Sequence, residues 1–177
     1  MLNSNHHQQT IPTYPYLLQR LQKYCAYQER SEDEVLRKLK LLHAPPQIAQ
    51  QVLRDLIADG FVNNQRFAKA FARGHFKLKK WGPAKITAAL KMHKLPASLI
   101  KEALEEVVQQ TDTQNNIALL ATKKWESLNK TNDTTAQKRL KLLRFLVGKG
   151  YATAEAIAAI EQVLRSQNLD NQPLDDE

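Results

Sequence analysis

The stretch SEDEVLRKLKLLHAPPQIAQQVLRDLIADG, residues 31–60, decides the fold. Ser31 and Glu34 have the spacing of a capping box, in which the hydroxyl accepts from the amide three residues on while the carboxylate returns to the serine amide. A helix is predicted to start there. Val35, Leu36, Leu39 and Leu42 recur at helical spacing until Pro45 and Pro46 interrupt, and Ile48, Val52, Leu53, Leu56 and Ile57 resume the pattern up to Gly60. Upstream, Leu17, Leu18, Leu21 and Tyr24 mark a further amphipathic helix, so Tyr16 to Asp59 reads as three helices.

Sliding the sequence along itself by 51 residues lays Val35 on Ile86, Leu39 on Leu90, Pro45 on Pro96, Ile48 on Leu99, Leu53 on Leu104, Leu56 on Val107 and Ile57 on Val108 without a gap. The preceding helix matches at a shift of 50, Leu17 on Phe67 and Leu21 on Phe71. A third, looser copy places Ile117 50 residues after Phe67, and Ile157, Ile160 and Leu164 57 residues after Ile100, Ala103 and Val107. Its extra residues fall between Asn129 and Thr135 and around Gly148 to Ala152. Amphipathic helices often slide into apolar register by chance, but the matched proline and the ungapped span argue for a repeat. The chain is expected to be all-α: three tandem three-helix repeats over residues 14–62, 63–110 and 111–165. Each is too small to bury a large core alone, which favours an elongated array with scope for curvature. Residues 1–13 and 166–177 lack apolar periodicity and are expected to be mobile ends. The second is acidic, with Asp170, Asp175, Asp176 and Glu177.

Composition narrows the class. Hydrophobic residues make up 42% of the 177, enough for packed cores, while five glycines and few β-branched runs leave little from which to build sheet. The single cysteine, Cys25, has no partner for an internal disulfide, which fits a reducing compartment. Met1 to Thr10 is polar and no later run approaches a membrane span, so a cytoplasmic protein without membrane contact is expected. Gly148-Lys149-Gly150 has the look of a phosphate loop, but Leu143 stands where a glycine is needed and no Ser or Thr follows the lysine. His6, His7, His43, His75 and His93 share no ligand spacing, and no nucleophile with a base is evident. Neither an enzyme nor a bound metal or cofactor is expected, and a monomer is the simplest state.

The formal charge of +8 points to a polyanionic partner, and its placement is more informative than its size. Between Gly60 and Lys101 there is no acidic residue. On a helix, Arg66, Lys69, Arg73, Lys77 and Lys80 project into one sector, with Phe67, Phe71, Gly74 and Leu78 in the adjoining, packing sector. Lys85 follows on the next helix. A charge run is usually a solvated face, but this one carries a single sign, and without an acid at i+3 or i+4 its members repel. The stripe is therefore the candidate surface for a polyanionic partner such as DNA, with Lys138, Lys141 and Arg144 as an extension. Trp81 could stack on a base, although packing into its own triad is the commoner use of such a residue. Pro83 after Gly82 reads as a helix start. A helix-turn-helix transcription factor is the alternative, weakened because three similar triads give no privileged recognition helix.

Three stretches carry a family resemblance. Asp59-Gly60-Phe61, Arg66-Phe67-Ala68 and Trp81-Gly82-Pro83 resemble the most recognisable segment of the RecX family. Glu29-Arg30-Ser31 with the helix after it, and Leu142 to Leu146 with Lys149-Gly150-Tyr151, resemble the family's first and third repeats. Asn63 and Asn64 stand where acidic residues are common, and Leu95 where a glycine often stands. The resemblance implies a non-enzymatic regulator that binds the RecA protein and lodges in the RecA–DNA filament. It further implies inhibition of ATP hydrolysis, strand exchange and co-protease activity, and binding of single- and double-stranded DNA without strong sequence preference.

Overall fold

The computed structural model describes residues 11–110 and 113–170. Among these there are nine α-helices and no strand: α1 (Tyr14–Tyr27), α2 (Glu32–Leu41), α3 (Pro46–Ala58), α4 (Asn64–Lys79), α5 (Pro83–Met92), α6 (Ala97–Gln110), α7 (Thr113–Asn129), α8 (Thr135–Gly148) and α9 (Thr153–Asp170). The chain divides into two compact units, residues 1–68 and 69–177, with α4 beginning in the first and continuing in the second. Met1–Thr10 and residues 171–177, parts of the expected mobile ends, lie outside the described residues.

In the first unit, α3 packs on both α1 and α2 around Leu17, Leu21, Val35, Leu39, Val52, Leu53 and Leu56. The capping box is formed: Ser31 Oγ accepts from the Glu34 amide at 3.2 Å and Glu34 Oε2 accepts from the Ser31 amide at 3.1 Å. Ser31 is fully buried, so its hydroxyl has no water to fall back on. Tyr14 Oη donates to Asp55 Oδ2 at 2.7 Å, tying α1 to α3.

In the second unit, α5 packs on α6, and α7, α8 and α9 pack mutually around Ile117, Ala121, Trp125, Leu142, Leu146, Ile160 and Val163. The Trp125 indole donates to Gln167 Oε1 at 2.8 Å. That bond corrects the expected end of the third repeat: α9 runs through Ser166 to Asp170, because one polar atom of a buried indole needs an acceptor there.

The pattern of burial is consistent with the expected repeat and suggests a different register for it. In the first helix of each expected triad, buried residues one turn apart are Leu17, Leu21 and Cys25, then Ala68, Ala72 and Phe76 with Phe67 buried beside Ala68, then Ile117, Ala121 and Trp125. The shift from Leu17 to Ala68 is 51, correcting the expected 50, which had followed the bulk of Phe67 and Phe71. In the third helices Ala49, Val52 and Leu56 match Ile100, Ala103 and Val107, and these match Ala156, Ala159 and Val163. The shift from Ile100 to Ala156 is 56 instead of 57, and Ile157, placed inside by the longer shift, is 43% exposed. Alanines carry too little apolar weight to be chosen over a neighbouring isoleucine by periodicity alone.

The same turn closes the second helix of every triad. His43, Lys94 and Gly150 occupy the left-handed region, with φ of 55°, 58° and 95°. The next residue's amide reaches back to Leu39, Leu90 or Leu146, and the left-handed residue's own amide to Lys40, Lys91 or Val147. These paired bonds are those of the Schellman motif, and the residue after the turn, Ala44, Leu95 or Tyr151, meets the helix it has just left.

Candidate nucleic-acid interface

Helix α4 is started by Asn63, whose side-chain oxygen accepts from the Arg66 amide at 2.9 Å. Its buried face is Phe67, Ala68, Ala72 and Phe76, and Leu78 is 85% exposed. The packing sector expected through Phe67, Phe71, Gly74 and Leu78 is therefore rotated by about one residue, again because two alanines define the contact. The expected cationic stripe separates accordingly. Arg66 Nε meets Glu29 Oε1 at 2.6 Å and its Nη2 donates to the Gly60 carbonyl at 2.9 Å. Lys69 Nζ lies 2.8 Å from Glu102 Oε1 and 3.0 Å from Glu106 Oε2, both on α6, and these carboxylates hold its pKa above the ordinary lysine value. The expectation of a stripe without acidic neighbours fails at these two positions, since the acids come from remote sequence. Arg73 and Lys77 are exposed, and no ion-pair partner for either is found among the described residues.

Lys80 is not on the helix. It stands just past the end of α4 with φ of 52°, and its ammonium donates to Asn116 Oδ1 at 2.7 Å. Lys85, on α5, reaches the Gly148 carbonyl at the end of α8 at 3.1 Å, while Lys149 reaches the Lys79 carbonyl at the end of α4 at 3.3 Å. Each helix end, where unsatisfied carbonyls concentrate partial negative charge, is thus met by a lysine from the other triad. Backbone bonds run beside them: the Gly82 amide donates to the Lys149 carbonyl at 2.8 Å and the Ala84 amide to the Gly150 carbonyl at 3.1 Å. Tyr151 Oη donates to the Lys80 carbonyl at 3.3 Å, and burial pushes its pKa up to about 12, so the phenol stays protonated. A Cβ on Gly82 would stand 2.4 Å from the Gly150 oxygen, and one on Gly150 2.4 Å from Lys85 Cβ, which is why the two loops meet through glycines.

Trp81 lies in this seam, half-buried, with the ammoniums of Lys85 and Lys79 at 4.9 and 5.3 Å from its ring centre. The His75 ring is 4.5 Å from Trp81 and stacks on Phe71 at 3.9 Å. His75 Nδ1 faces the Phe71 carbonyl at 2.9 Å and so carries the proton, leaving Nε2 to accept from Lys79 Nζ at 3.2 Å. Desolvation lowers the His75 pKa, and the neighbouring Lys79 charge acts in the same direction. No ion pair among the described residues engages Lys79, Lys80, Lys85 or Lys149.

Of the extension on α8, Lys141 is paired with Asp133 at 2.6 Å, which lowers the Asp133 pKa. Lys138 and Arg144 have no ion-pair partner among the described residues. Sequence reading omitted Lys79 and left Lys149 outside the chosen set. Both lie at helix ends, but their partners, the His75 ring for Lys79 and the end of α4 for Lys149, depend on tertiary packing that periodicity does not carry. Asn116, buried beneath Lys80, carried no signal either. Among the described residues no helix is long and apolar enough to cross a membrane, and no group of three His, Cys, Asp or Glu is placed to hold a metal.

Comparison with known proteins converges on one group. The model of the RecX second three-helix domain matches residues 63–104, which hold α4, α5 and half of α6. The chain is 28% identical over 141 residues to the regulatory protein RecX of Listeria innocua, covering 78% of this chain and 51% of that protein. With the regulatory protein RecX of Geobacillus kaustophilus it shares 32% over 138 residues, 77% of this chain and 49% of the relative. The chain thus spans about half the length of these curated relatives. The crystal structure of RecX from Lactobacillus salivarius superposes with a TM-score of 0.70 at 21% identity, over 85% of this chain and 96% of that one, which shows a common fold. The matching domain model, the curated relatives and the shared all-helical fold all liken this chain to RecX proteins.

Proposed function

We propose that this protein binds RecA and the RecA–DNA filament and restrains it, lowering DNA-dependent ATP hydrolysis, strand exchange and co-protease activity. It acts as a binding protein and not as a catalyst. Its contact with DNA is made through the phosphate backbone, without strong sequence preference, by cations that no carboxylate neutralises: the exposed Arg73 and Lys77 on α4, the exposed Lys79 and half-buried Lys85 and Lys149 at the seam, and the half-buried Lys138 and exposed Arg144 on α8. The observation that carries this reading is the seam itself, where several ammoniums gather without a carboxylate among their ion partners. Bringing like charges together is unfavourable unless an anion joins them, and a polyanion releases its condensed counterions on binding. A monomeric, cytoplasmic protein fits this role.

The test is hydrolysis of ATP by the cognate RecA on single-stranded DNA with the purified protein titrated in. Hydrolysis should slow at substoichiometric protein, because one molecule bridging neighbouring protomers blocks growth of the filament. Unchanged hydrolysis at protein in excess over RecA, with both proteins folded, rejects the proposal. Competition by random-sequence DNA separates it from a base-reading transcription factor, which would keep a preference for its operator.

A further inference from the structure

The two tryptophans of this chain are used differently. Trp125 is 4% exposed, lies within the core of the third triad and spends its indole N–H on Gln167. Trp81 is half-buried, belongs to the loop that joins α4 to α5, and is flanked by the flexible side chains of Lys79 and Lys85. Behind it, the Phe71 and His75 rings form a stacked support, 3.9 Å apart. The ammonium contacts around it are long for charge-assisted hydrogen bonds: 3.2 Å from Lys79 to His75, 3.1 Å from Lys85 to Gly148 and 3.3 Å from Lys149 to Lys79. Each of these partners is neutral, so a phosphate oxygen, with its full charge, competes favourably for any of the three.

We propose that Trp81 with Lys79, Lys85 and Lys149 forms a binding point for one unpaired nucleotide of a single strand. The base stacks on the indole, as every base can because each has a π-face, and the flanking phosphates draw the ammoniums off the ring. Stacking on an indole requires a base free of its pairing partner, so this point distinguishes single-stranded from duplex DNA without reading sequence. The inference rests on the reading of the protein as DNA-binding.

The test uses the Trp125→Phe variant, in which Trp81 is the sole emitter, titrated with a short oligothymidylate and with a duplex of equal length. Binding is followed independently by the anisotropy of a label on the DNA. Oligothymidylate should quench Trp81 emission in parallel with the anisotropy rise, and the duplex should bind with little quenching. Trp81→Ala should weaken binding of the single strand by roughly ten-fold or more, the equivalent of one lost stacking contact, and leave duplex affinity unchanged. If Trp125→Phe does not fold, the wild-type emission less that of Trp81→Phe gives the same signal. Anisotropy rising with no change in Trp81 emission, or equal single-strand affinity in Trp81→Ala, overturns the stacking site and leaves DNA binding standing. Absence of any anisotropy change overturns both.

Discussion

A single methyl group distinguishes the glycines of this chain by what surrounds them. A Cβ on Gly150 meets Lys85 Cβ at 2.4 Å and its backbone nitrogen at 2.5 Å, with φ at 95°, whereas a Cβ on Gly74 or Gly148 meets nothing within 4 Å. Gly150→Ala is therefore expected to destabilise the fold by about 2 kcal/mol or more through overpacking and backbone strain, while Gly74→Ala, in mid-helix, stabilises it by about 0.5–1 kcal/mol. Urea titrations of the two variants beside the wild type give both signs in one experiment. His75 provides a second residue-scale prediction. Its folded-state pKa lies below the ordinary 6.5, so the unfolded chain takes up a proton first, and stability is lost as pH falls from that value through the folded one. The melting temperature should begin to drop as pH falls through about 6.5, and the drop should be smaller in His75→Gln.

At the scale of the helix, the sequence was most legible where a backbone group needs a particular side chain. The Ser31 cap, the Gly82-Pro83 start and the break at Pro45 and Pro96 each state a local requirement, and each is met. Ser31→Ala should cost about 1–2 kcal/mol, near the upper end for a cap because the site is buried, measurable by chemical denaturation. Faces lined by alanine were misread by one residue, since periodicity weighs bulk and not contact. The charge on α4 was read correctly as a count, but its partners were not, because Glu29, Glu102 and Glu106 approach from distant sequence. These pairings divide the stripe by experiment. Replacing Arg73 and Lys77 with alanine should flatten the slope of log affinity for DNA against log salt by roughly 1–2, as expected for up to two lost phosphate contacts, while Lys69→Ala leaves the slope near wild type. Equal effects from both variants would place Lys69 on the DNA surface after all.

Across the whole molecule, the same left-handed turn follows α2, α5 and α8 with different residues at corresponding places, and the three turns differ in what they must touch. The left-handed position is histidine or lysine in the first two triads and glycine in the third, where Lys85 leaves no room for a side chain. That difference was not legible in periodicity, because it depends on which triads meet. Hydrogen exchange should follow the two compact units: Gly150→Ala is expected to accelerate amide exchange in α5 and α8 together and to leave α1 to α3 at wild-type rates. Uniform acceleration would mean that the chain opens as a single cooperative block. The crossed lysines have a further consequence, best put in genetic terms. Lys85 closes the end of α8 and Lys149 the end of α4, so neither side chain serves only the helix that carries it. Loss of either one loosens the seam on which the other depends, and the second loss then removes less than it would alone. The two positions should show epistasis: a double-mutant cycle through methionine at both should give a combined destabilisation smaller than the two single effects added. A lineage that has lost one lysine is thereby freer to lose the other.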